Sequence, residues 1–338
     1  MDTARHTVRR SALGAVVLGV LLLAGCGSES GPKAPPGASQ NQFERQLAQA
    51  SSVSAADFPA AGGRTLQQIA DTATPGSQLG LATSVLGPGT NRLAFGVLDQ
   101  AKRFLYGKTG VYVAPKPNAK AQGPYPAPAD ALVTKPQYRS RTAASEKDPI
   151  AAIYAAQVPF KKTGRYAVLV LTKQGTRLVG ATAEVDVKPN SPIPAVGERP
   201  PAVNTDTLAS AGGDIAAIDT RVPPAKELHQ VNFKDVIGKK PVALLFATPQ
   251  LCQSRVCGPV VDIELQLKQQ YGERVAFIHQ EVYNNNQVDK GLRTPLRAFN
   301  LQTEPWLFTF DRSGRVAARL EGSFGVNAFK QAVDQALQ

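Results

Sequence analysis

Two cysteines five positions apart carry the most reactive chemistry in this chain: Cys252 and Cys257, in the run 251–259 that ends in Gly258 and Pro259. The thiolate is the nucleophile of thiol–disulfide exchange. In a regular helix, residues five apart are separated by more than about 7 Å, beyond the reach of a disulfide. At least Cys252 is therefore expected in a non-helical loop. Pro259 suits a first helical turn, so a helix is expected to begin near Cys257 and to stop at Gly272. A helix N-terminus lowers a cysteine's pKa, which favours Cys257, and Arg255 adds a positive charge nearby. So close a pair encloses a short loop, which yields little entropic stabilisation. Redox chemistry through a Cys252–Cys257 disulfide is the reading that follows, with both cysteines catalytic.

Other reactive side chains stand around this pair. His279 and Glu281 follow one another near the end of an apolar run, and Glu281 is a candidate proton acceptor for a buried thiol. His229 is read as structural, and Trp306 is expected to pack near the site. The sequence has no phosphate-binding loop, dinucleotide fingerprint, serine nucleophile elbow or zinc-type cysteine pairs. No metal or cofactor is expected.

The third cysteine, Cys26, has a different setting. Arg5, Arg9 and Arg10 precede a short apolar run, 11–23, that is too short for a permanent membrane span, and Leu23-Ala24-Gly25-Cys26 closes it. This order resembles the lipobox of bacterial lipoproteins. The resemblance implies a signal peptide over 1–25, lipidation of Cys26, and attachment to the extracytoplasmic face of the cell membrane. The net charge is +12, of which the first 25 residues supply two. A basic surface favours anionic headgroups or cell-wall polymers. No basic motif interleaved with aromatics points to nucleic acid, which is excluded as a partner for an exported chain.

The elements that must hold these residues divide the chain. Residues 26–77, rich in Ser, Ala, Pro, Gly and Gln, read as the lipidated cysteine and a flexible tether, with a short helix or turn at 65–74. Residues 78–188 carry short β-branched and aromatic runs between glycine turns. These predict strands at 92–98, 104–106, 111–114, 153–158, 164–171 and 180–187, and hence an antiparallel β-sandwich. The stretch 115–149 is expected to be irregular. The Gly164-Arg165-Tyr166 pattern ahead of an apolar strand resembles immunoglobulin-like accessory domains of bacterial envelope proteins. Five prolines in 189–204 predict a semi-rigid linker. From 205 to 338 the pattern alternates: strands at 240–247, 274–279, 305–310 and 316–320, and helices at 259–271, 294–299 and 326–337.

In this last region, Leu244 to Thr248 lead into the cysteine loop, Glu304-Pro305 precede an apolar strand, and Asp311 to Val316 form a hairpin followed by Gly322. Together these resemble the membrane-anchored extracytoplasmic thioredoxin-like proteins of bacteria. The resemblance implies an α/β thioredoxin-like fold, a cis-proline at Pro305 beside the site, and exchange with a protein thiol or disulfide partner. It also favours Cys252 as the first cysteine, by its distance from the strand end at Ala247, so the attacking cysteine stays open. The family's usual site has two residues between its cysteines; here there are four. Peroxiredoxins of the bacterioferritin-comigratory group share that four-residue spacing after a Thr-Pro, although Thr248 lies one residue farther from Cys252 than in that group. Copper chaperones of the cytochrome oxidase assembly type pair two cysteines with a distal histidine, for which His279 is the candidate. A non-catalytic binding lipoprotein with a structural disulfide is the remaining alternative.

Overall fold

The computed structural model describes residues 34, 39–145, 149–189, 191–252 and 256–338. Cys26, the signal segment 1–25 and Arg255 lie outside them. Much of the expected tether is folded. Helix α1 (Gln40–Ser51) opens at Ser39, whose hydroxyl accepts from the Gln42 amide. Phe43, Leu47 and Ala50 recur at helical spacing, and Phe43 packs edge-on to Tyr106 at 5.6 Å. Helix α2 (Leu66–Ala70) starts with a reciprocal cap between Thr65 and Gln68 and buries Leu66 and Ile69. The polar composition of 39–77 suggested a free chain, but a few well-spaced apolar residues are enough once a sheet is present to receive them.

The strands that follow are β1 (Thr74–Pro75), β2 (Gln78–Leu81), β3 (Gly89–Leu98), β4 (Thr109–Ala114), β5 (Gln122–Pro126) and β6 (Ala129–Ala131), then helix α3 (Arg141–Ser145), β7 (Ala152–Phe160), β8 (Gly164–Gln174) and β9 (Arg177–Val187). They form two sheets, ordered β2-β3-β7-β6 and β1-β9-β8-β4-β5, antiparallel except for β1 with β9. Leu93, Phe95, Tyr154 and Val158 of one sheet share a core with Val111, Val113, Val168 and Val170 of the other. The outer face of the five-stranded sheet is also apolar: Tyr112, Leu169 and Leu171 are covered by Phe58, Leu66 and Ile69. This is why β4 and β8 are unbroken apolar runs rather than alternating ones. The excursion 115–149, expected to be irregular, contributes β5, β6 and α3.

The C-terminal part holds α4 (Phe233–Val236), β10 (Val242–Phe246), α5 (Cys257–Tyr271), β11 (Ala276–Gln280), α6 (Thr294–Ala298), β12 (Trp306–Phe310), β13 (Val316–Glu321) and α7 (Val326–Ala336). The sheet order is β11-β10-β12-β13; β10 and β11 are parallel, the other pairs antiparallel. Ala243 and Leu245 face α5 and α7, while Leu244 and Phe246 face Phe233, Phe299 and Phe308 on the other side. A sheet covered on both faces needs such continuous apolar strands. A cysteine helix after a parallel strand, a crossover, then a closing hairpin and terminal helix make this a thioredoxin-like domain. Among the described residues, no helix is long and apolar enough to cross a membrane.

The proline-rich stretch is not a free linker. Gly197 and Glu198 exchange backbone bonds with Val316, and the carbonyls of Ile193 and Pro194 accept from Arg319. The β-sandwich is fastened to the thioredoxin-like domain. Helix α7 begins at a glycine with no side chain to cap it, and Asp130 of β6 does so instead. Its carboxylate accepts from the amides of Gly325, Asn327 and Ala328 at 2.9–3.0 Å. Glu321 accepts from the Ser84 hydroxyl and the Val85 amide. Leu132, Ile150 and Ile153 enter the core beside Val256 and Cys257.

Candidate functional site

Strand β10 delivers the chain to the cysteine loop, and α5 starts at Cys257, as the proline at 259 predicted. Cys257 is fully buried among Ile153, Val256 and Val260; Cys252 is half-buried on the loop. The expected disulfide does not join them in this structure. Their sulfurs and a carboxylate oxygen of Glu304 all lie within 4.8 Å of one another. Cys252 lines a cleft of about 470 Å³ with Ser140, Arg221, Val222, Pro249 and Pro259. Part of that wall, Ser140, comes from the excursion after the sandwich strand β6.

The helix terminus was expected to lower the Cys257 thiol. Burial, reinforced by the neighbouring Cys252 thiol, instead pushes it well above its ordinary value. Desolvation of a fully enclosed thiolate outweighs the dipole, which acts strongly only on a group it can stabilise without loss of water.

Glu304 is the site residue that sequence reasoning missed. It was visible only as the residue before Pro305, and nothing in that position announces a role beside two sulfurs. The Glu304–Pro305 peptide is cis, as the resemblance implies, and the Pro305 carbonyl accepts from the Gly322 amide. Burial, then the adjacent Cys252, raises the Glu304 carboxyl from 4.5 to about 7. Tyr283 is also raised, by burial and by the charges of Glu304 and the two cysteines.

The shift in Glu304 has a testable sign. Between about pH 4.5 and 7 the folded protein holds a proton that the unfolded chain has released. Stability therefore falls as pH rises through this window. Fully shielded, the effect would be roughly 3 kcal/mol; solvent screening of this partly exposed group reduces it to about 1–2 kcal/mol. Glu304→Gln is expected to gain that amount at pH 8 and almost nothing at pH 4.5, read from urea midpoints. An equal gain at both pH values would refute the assignment.

The remaining candidates are not brought to the sulfurs. Glu281 is buried, and its Oε1 accepts from the Thr220 amide (2.9 Å) and hydroxyl (2.6 Å), so it serves the segment before β10 rather than a thiol. The His279 ring faces Asp219 and His229, not the cysteines. The ligand set of two cysteines and His279 that a copper chaperone needs is therefore not assembled. Trp306 is buried in the opposite core layer, stacked on Phe308 at 5.6 Å with its indole N–H donating to Thr303.

No protein-family model matches the chain, and no curated protein matches it. Among solved structures it is similar to a putative thiol:disulfide interchange protein DsbE from Chlorobium tepidum, at 15% identity over 43% of this chain and 99% of that one, with a TM-score of 0.32. It is also similar to a thiol:disulfide interchange protein of the thioredoxin family from Chlorobium tepidum TLS, at 18% identity over 45% of this chain and 100% of that one, with a TM-score of 0.27. The thioredoxin-like description rests on the strand order and register of this chain's own sheet.

Proposed function

We propose that the protein is a lipid-anchored, extracytoplasmic thiol–disulfide oxidoreductase that acts on protein dithiols and disulfides through Cys252 and Cys257. The observation that carries this reading is the pairing of a cleft-lining thiol with a buried one, both within 4.8 Å of a carboxylate at the Glu304–Pro305 corner. In the reducing direction, the Cys252 thiolate attacks a substrate disulfide. A mixed disulfide forms and one substrate thiolate leaves. Cys257 then gives up its proton, with the Glu304 carboxylate as acceptor, and attacks the Cys252 sulfur. The Cys252–Cys257 disulfide forms, the second substrate thiol is released, and two electrons have passed to the substrate. The oxidising direction is the reverse.

The anchor in this reading is the lipidated Cys26, supported by the Leu23-Ala24-Gly25-Cys26 sequence and the basic and apolar segments ahead of it. We read the β-sandwich as immunoglobulin-like. Support comes from its two strand orders and from Tyr166, whose hydroxyl bonds back to Lys162 at the start of β8 in the manner of a tyrosine corner.

Equilibration of the mature chain with glutathione buffers, followed by thiol counting, tests the proposal. A reversible two-electron transition between about −120 and −270 mV, with catalysis of insulin reduction, is expected. A potential below about −300 mV and no insulin reduction would mark the pair as a structural bond.

A further inference from the structure

A second cluster lies inside the thioredoxin-like domain, away from the sulfurs. Asp219, His229 and His279 are buried, with no exposed side-chain surface on any of the three. Their ligand-capable atoms lie within 4.8 Å of one another. His229 Nε2 stands 3.5 Å from one Asp219 oxygen, and His279 Nδ1 stands 3.8 Å from the other. A hydrogen bond between nitrogen and oxygen closes to about 2.7–3.2 Å. The His279 separation is too long for one, and the His229 separation is at its outer limit. They are close to the roughly 3.3 Å that a tetrahedral ion with bonds of about 2.0 Å imposes between its ligands.

The protonation pattern points the same way. His279 Nε2 lies 3.0 Å from the carbonyl oxygen of Ala247, which only accepts, so Nε2 carries the hydrogen. In a neutral imidazole so hydrogen-bonded, Nδ1 presents a lone pair toward a carboxylate oxygen. Two lone pairs facing each other in a sealed interior repel unless a cation lies between them. Neither ring nitrogen of His229 has a hydrogen-bond partner, nor does His279 Nδ1. Uncompensated buried polar atoms of this kind are destabilising.

The supports of the three groups are already in place. The Asp219 carboxylate is fixed by the amides of Arg221 (2.8 Å) and Ala225 (2.6 Å). His279 is fixed by Ala247. Holding ligands through their other polar atoms is how metal sites orient their first shell. A bound cation would compensate the buried Asp219 carboxylate.

We infer that Asp219, His229 and His279 bind one divalent metal ion of the zinc class, as a structural centre that pins the segment before β10 to the end of β11. Two imidazoles and a carboxylate suit zinc among the common divalent ions. With both Asp219 oxygens as ligands beside the two imidazoles the ion is four-coordinate, and because the site is sealed from solvent it is a staple rather than a catalyst. Its location gives it a bearing on the cysteine loop: Thr220, next to Asp219, accepts from the Gln250 amide two residues before Cys252.

The inference does not depend on the redox reading, and the experiment separates them. The mature chain carrying Cys252→Ser and Cys257→Ser removes the thiolates that would otherwise compete for metal. It is unfolded and refolded with zinc, desalted, and its metal content measured by atomic emission. One zinc per chain is expected, with a melting temperature that falls when the ion is stripped. Adding His229→Gln or Asp219→Asn is expected to weaken zinc retention at least about a hundredfold. Because those variants can fail to fold, cobalt loading of the double-serine parent supplies an independent readout. Visible bands of four-coordinate cobalt with nitrogen and oxygen ligands are expected. A folded parent that takes up neither zinc nor cobalt on refolding overturns the site. So does zinc retention unchanged by both ligand substitutions.

Discussion

Cys252→Ser is expected to lower the rate of disulfide exchange on the order of a thousandfold or more, the scale on which enzymes lose rate when a nucleophile is removed. Cys257→Ser is expected to behave differently: it should complete the first attack and stall as a mixed disulfide with its substrate. The asymmetry follows from burial. Cys252 lines a cleft that a substrate disulfide can enter, whereas Cys257 has no exposed surface and its thiol is pushed well up by that enclosure. Exchange requires an in-line approach of thiolate to disulfide sulfur, which a sealed thiol cannot offer to an outside partner. It can offer it to Cys252 once that sulfur is already bonded. Insulin-reduction rates measure the first effect, and intact-mass spectrometry of the covalent adduct measures the second. Adducts that accumulate on Cys252→Ser but not on Cys257→Ser would reverse the roles.

The second large effect concerns the join between the two domains. Gly322→Ala is expected to destabilise the folded chain by roughly 3 kcal/mol or more. Gly322 has φ +70°, where an L-side chain already costs about 1 kcal/mol. A Cβ there would stand 1.5 Å from the carbonyl oxygen of Ala82, just past β2 of the sandwich. That atom is backbone and cannot swing away as a side-chain tip would. Displacing it pulls on Ser84 and Val85, which Glu321 holds. Gly212 supplies the control, with φ +61° and open space around the same hypothetical Cβ. Gly212→Ala is expected to cost only about 1 kcal/mol. Urea unfolding measures both. Equal losses at the two positions would mean that the Gly322–Ala82 contact contributes nothing.

Local pattern determined a good deal of this protein. The apolar runs at 242–246, 276–280 and 306–310 are strands because each is short, continuous and bounded by breakers. The proline at 259 sets the start of the cysteine helix, and the short β-branched and aromatic runs between glycine turns in 92–187 announce a β-sandwich. These are signals carried within a few residues of each other. The tertiary structure decided what depends on groups far apart in the chain. Glu304 joins the cysteines, and Asp219 and His229 join His279, only because the sheet order brings residues some 50 positions apart to one layer. Helix α1 forms because Tyr106 and its neighbours give Phe43 a surface to cover. The balance between helix dipole and burial at Cys257 was likewise undecidable from sequence. Spacing identifies a residue at a helix terminus, but only packing shows whether water reaches it, and for this thiol the loss of water is the larger effect.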